Sequence, residues 1–99
     1  MGDAQGMEPY RMLAQMTHQA YQRGDDALAT LFARILERLW DNCLPELRAT
    51  PSTNWKQIDA NMGRFINPIL QYARGRARRP DPAEEIAAYE ACQNALTRS

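Results

Sequence analysis

The stretch from Asp26 to Cys43 constrains this chain more than any other. At about 100° per residue, Leu28, Leu31, Phe32, Ile35, Leu36, Leu39, Trp40 and Cys43 fall on one side of a helix. Ala29 and Ala33 widen that side, while Arg34, Glu37, Arg38 and Asp41 fall opposite. A surface helix needs a narrower apolar stripe than this. So broad an arc must be covered by more than one neighbour. The helix is therefore either the central member of a small bundle or part of a self-association surface.

Three further helices follow from pattern and punctuation. Pro9 suits a first helical turn, and Tyr10, Leu13, Met16, Thr17, Ala20 and Tyr21 share a face up to Arg23. Gly24 then fits a left-handed helix end, and Asp25 or Asp26 the cap of the next helix. So short a connection makes the first two helices antiparallel. The second is predicted to end near Cys43 or Leu44, because Pro45 has no backbone donor, with residues 45–48 forming a further short turn that points Leu44 and Leu47 inward. After the break at residues 50–54, either Thr50 caps a helix opened by Pro51 or Asn54 caps one opened by Trp55. Trp55, Ile58, Met62, Phe65, Ile66, Ile69, Leu70 and Ala73 form the cleanest stripe in the chain. Pro68 lies inside it. An interior proline costs about 3 kcal/mol, yet the stripe keeps its phase across it, which predicts a continuous helix kinked at Pro68. Asp81-Pro82-Ala83-Glu84 is a start signal for a fourth helix with a thin face of Ile86, Tyr89, Cys92 and Leu96, widened by Ala88 and Ala95.

The expected fold is all-α: a small antiparallel bundle of three long helices plus a shorter C-terminal helix, with the second helix central. Residues 1–8 read as a flexible leader and residues 9–99 as a single domain, since 99 residues bury one modest core. No segment has the length and apolarity of a membrane span, and the N-terminus lacks the order of a signal peptide. Eleven arginines against one lysine, with abundant alanine, suggest a GC-rich bacterial genome. A cytoplasmic protein without membrane contact is expected.

Net charge is zero but uneven: residues 50–80 carry six basic groups and one acid, while both flanking segments are acidic. Arg74, Arg76, Arg78 and Arg79 are the densest cluster. They suit the end of one helix dipole and face the acids Asp81, Glu84 and Glu85 that start the next. With Lys56 and Arg64 they also make a candidate phosphate-binding surface for nucleic acid. His18, the only histidine, has no ligand partner at helical spacing and reads as a boundary residue. Cys43 and Cys92 lie far apart and read as small buried hydrophobes. No cofactor, metal site or catalytic constellation is expected.

The function that follows is a non-enzymatic helical interaction protein, an adaptor, regulator or inhibitor of a protein partner, and a homo-oligomer. Its candidate contacts are Leu31 on the broad arc, Trp40 and Trp55 as aromatic anchors, and Asp59, a carboxylate on an otherwise apolar face. A nucleic-acid-binding regulator working through the arginine segment is the alternative.

Overall fold

A computed structural model describes residues 6–49 and 54–98. Four helices account for the fold: α1 (Glu8–Gln22), α2 (Asp26–Arg48), α3 (Trp55–Ala73) and α4 (Pro82–Arg98). They form an antiparallel bundle in which α1 packs on α2, α2 on α3, α3 on α4 and α4 back on α1. Neither diagonal pair comes as close along its backbone; those helices meet only through the shared core. The 23 residues of α2 span about 35 Å at 1.5 Å each, which sets the 37 Å long axis of a body 20 × 18 Å across. At 17 residues, α4 is shorter than α2 and α3 but longer than the 15-residue α1.

The closed ring corrects one expectation. The second helix is not central: like each of the others it occupies a corner and packs closely on only two neighbours. A corner helix can cover about half of its circumference, and α2 is apolar over more than that.

The turns obey the punctuation. Gly24 (φ 81°) and Gly75 (φ 73°) adopt the left-handed conformation that only glycine takes without strain. At each, the glycine N–H and the next residue's N–H donate back into the last helical turn: Gly24 to Tyr21 and Asp25 to Ala20, Gly75 to Tyr72 and Arg76 to Gln71. The Asp25 carboxylate caps α2 by accepting from the Leu28 N–H at 3.2 Å, and Asp81 accepts from Ala83 at 3.2 Å to open α4. Asn54 is the N-cap residue of α3; the alternative start at Thr50 lies outside the described residues. Of the expected leader, residues 1–5 also lie outside them. Met7 is buried in the core and Glu8 opens α1, so these two residues belong to the bundle.

Both interior prolines are absorbed. The helix through Pro68 is continuous, and α2 also runs through Pro45 to Arg48 rather than ending at Leu44. Each proline is exposed, so the carbonyl one turn earlier, of Asp41 or Arg64, is left without its helical donor on the wet side of the bundle, where water can satisfy it. Inside, Leu36, Ile58, Phe65, Ile66, Leu70, Cys92 and Leu96 are fully buried, and Ala14, Ala20, Ala29 and Ala33 have no exposed surface. Those alanines let α1 and α2 approach closely.

Candidate interaction surface

The broad arc of α2 divides in two. Its inner half is Ala29, Ala33, Leu36, Trp40 and Leu44, all buried. On its outer half Leu31 is 51% exposed, Ile35 38% and Leu39 40%. These three recur every fourth residue and make one continuous ridge, with half-buried Leu28, Phe32 and Cys43 between it and the core. On α1, Met12 (53% exposed) and Met16 (39%) are also left uncovered. Helical spacing puts them on the side of α1 nearer α2, away from Arg11, His18 and Gln22, which face α4. Five of the six large apolar side chains that the described residues expose therefore lie on this pair of helices; the sixth is Ile86. That pair of helices therefore carries the candidate interaction surface of the bundle.

Of the residues expected to meet a partner, Leu31 lies at the N-terminal end of the exposed ridge. Trp40 does not. It is 2% exposed, its indole N–H donates to Asp59 Oδ1 at 2.7 Å, and the Tyr10 ring meets it edge-on at 5.8 Å. The arc contained it, but its half of the arc faces inward. Asp59 is half-buried, and its Trp40 bond is what a carboxylate on an apolar face needs. Trp55 is half-buried at the start of α3, with the Arg48 guanidinium 5.1 Å and the Lys56 ammonium 5.8 Å from its ring. The structure brings Trp40 and Asp59 together and leaves Leu31 apart from both.

The arginine segment is also divided. Arg79 is held: its guanidinium donates to Asp26 at 2.9 Å and to the Tyr21 carbonyl at 3.2 Å, and it stacks on the Tyr21 ring at 4.1 Å. The Tyr21 hydroxyl donates to the Pro80 carbonyl. These bonds fasten the α3–α4 connection to the α1–α2 turn. Arg74, Arg76 and Arg78 are exposed and form no ion pair among the described residues. Lys56 is at the other end of α3, roughly 27 Å from Arg74 at 1.5 Å per residue, and Arg64 is midway. The acids Asp81, Glu84 and Glu85 do not pair with the arginines; Asp26 does.

Hydrogen bonds from Arg79 hold the Asp26 carboxyl below its usual range. A depressed carboxyl contributes stability that is complete above its unfolded value, near 3.9, and is lost as pH falls through the folded value. Asp26→Asn is thus expected to flatten the fall in urea midpoint between pH 5 and pH 2. Both partners are about a third exposed, so the difference should stay below about 1 kcal/mol.

A polar cluster absent from the sequence reading joins α1 to α4. Glu85 is 3% exposed and accepts from Gln22 Nε2 at 2.8 Å. His18 Nδ1 is 2.8 Å from its second oxygen, and the His18 ring lies flat on Tyr89 at 4.0 Å. Nearby, Gln93 Nε2 donates to the Arg11 carbonyl at 3.0 Å. Glu85 was read as one of the acids at the start of α4. Its spacing to Ala88, Cys92 and Ala95 carried the missing signal, because the buried face of α4 is 85, 88, 92, 95 and 96. Ile86, assigned to that face, is exposed instead. The cluster is a hydrogen-bonded pin between α1 and α4.

The two thiols are free but differ in environment. Burial pushes the Cys92 thiol up to about 12, whereas Cys43 is only half-buried, its Sγ 3.3 Å from the Trp40 carbonyl. A thiol-disulfide reagent applied to native protein at pH 8 is expected to titrate Cys43 at least tenfold faster than Cys92; equal rates would place Cys92 in contact with solvent.

Among the described residues no three His, Cys, Asp or Glu side chains are placed to hold a metal, and no helix is long and apolar enough to cross a membrane. Comparison with protein-family models finds no match to this chain, and comparison with curated proteins and with solved structures finds none at a significant level.

Proposed function

We propose that this chain is a non-enzymatic interaction protein that self-associates and meets a protein partner through the α1–α2 face, acting as an adaptor, regulator or inhibitor. One observation carries the reading. Leu31, Ile35 and Leu39 stand in line on the outer half of α2, uncovered by any helix of the bundle. Burying that ridge against apolar surface contributes about 25 cal/mol per Å² of apolar area, which makes it the most favourable contact this molecule can offer. Met12 and Met16 beside it add flexible, polarisable side chains that adapt to a partner's shape. Sedimentation velocity from 1 to 200 μM tests the self-association: a sedimentation coefficient that rises with concentration supports it, and a monomer throughout removes it.

The exposure of Arg74, Arg76 and Arg78 favours nucleic acid as a second reading. It requires salt-sensitive DNA or RNA binding, weakened about equally for all sequences when Arg76 and Arg78 become alanine. Arg79 is left out of that set because it is engaged by Asp26 and Tyr21. No binding at 50 mM salt would eliminate this role.

A further inference from the structure

A groove of about 540 Å³ runs between α3 and α4, on residues that the α1–α2 face does not use. Its size falls within the range of small-molecule sites. Buried Phe65, Ile69 and Ala88 form the floor, and Pro68, Ala83 and Ala87 the walls. Alanine at three of those positions leaves the space that longer side chains on α4 would fill.

The charges lining the groove are two of each sign but differ in their partners. Arg64 on α3 and Arg78 in the α3–α4 connection both line it, both are exposed, and neither has an ion pair among the described residues. Two carboxylates line it as well. Glu85 is committed to Gln22 and His18 on the α1 side. Glu84 is in the first turn of α4, where the helix N-terminus compensates a negative charge. Two guanidiniums are left, each with a planar fork suited to a carboxylate or a similar anion.

We propose that this groove binds an amphiphile with an apolar body and a single anionic head, of which a medium-chain fatty carboxylate is the simplest form. The acyl chain lies over Phe65 and Ile69 against the alanines of α4, and the carboxylate meets Arg64 and Arg78. Binding here is independent of self-association through the opposite pair of helices.

Decanoate, titrated below its micelle concentration into the ¹⁵N-labelled full chain, tests the proposal when compared with 1-decanol and decyltrimethylammonium. Saturable shifts centred on the amides of Phe65, Ile69, Ala87 and Ala88 are expected, with decanol at least tenfold weaker and the cation weaker still. Arg64→Gln with Arg78→Gln should weaken decanoate about tenfold and leave decanol unchanged. Ala87→Leu, at an exposed position, should fill the groove and remove both. Equal binding of decanoate and decanol, decanoate affinity untouched in the double arginine variant, or shifts confined to Leu31, Ile35 and Leu39 would overturn it. Should Ala87→Leu lose helicity, the arginine variant still decides.

Discussion

Replacing Leu31, Ile35 and Leu39 together by glutamine is expected to leave a stable monomer at every concentration at which the wild-type chain associates. The three side chains are part-exposed at the corner of the bundle, so the fold should lose no more than about 0.5 kcal/mol at each position. Association should weaken by two orders of magnitude or more, because each leucine or isoleucine buried in an interface is worth roughly 1.5–3 kcal/mol. The separation of the two effects is the informative part. A core residue moves stability and association together, since the surface exists only in the folded state; a surface residue moves association alone. Sedimentation and a urea titration on the same preparation read both quantities. A triple variant that associates like wild type would show that other residues make the contact.

Phe65→Ala should do the reverse and cost about 3–5 kcal/mol. Phe65 is 1% exposed, sits on α3, and tilts against the Tyr89 ring of α4 at 5.6 Å. It therefore helps join α3 to α4. Truncation leaves a void that the neighbours cannot fill, because Ile66, Ile69 and Leu70 are themselves packed to near-zero exposure. A domain of this size has a total stability of order 5–15 kcal/mol and lies towards the lower end. Urea unfolding followed by circular dichroism should find the variant largely unfolded by concentrations at which wild type is intact. A loss below 1 kcal/mol would mean that this core is loosely packed.

Helices α2 and α3 also show where the sequence was legible. The middle of the α3 stripe was readable, because Ile58, Met62, Phe65, Ile66, Ile69 and Leu70 share one narrow face and all are buried; at its ends Trp55 is only half-buried and Ala73 is exposed. The α2 arc was readable as too broad, but its inner half could not be picked out. Trp40 seemed a better surface anchor than Ala29 or Ala33, yet the alanines mark the buried centre, since α1 comes close there. Leu31 is exposed and Trp40 is buried, though they lie on one arc. The corner position of α2 depends on how all four helices close, which no single periodicity encodes. Pro45 misled for a related reason: a proline stops a helix when its carbonyl partner is buried, and here the outer side is wet.

The polar features were the least legible. Glu85 and His18 are separated by 67 positions, and no local pattern pairs them. Arg79 looked like its neighbours Arg76 and Arg78 until the α1–α2 turn brought Asp26 and the Tyr21 ring to it. In both cases tertiary closure chose one member of a run of like residues. Composition identified the run and not the member.

The central claim is that the uncovered α1–α2 face is where this molecule touches another. Methionine methyl groups report on it without any substitution: Met12 and Met16 lie on the face, while Met7 and Met62 are in the core. In ¹³C-methyl methionine spectra recorded from 10 μM to 1 mM, the Met12 and Met16 resonances are predicted to shift progressively while those of Met7 and Met62 stay fixed. Four resonances that hold their positions across the whole range would show that this face does not make the contact.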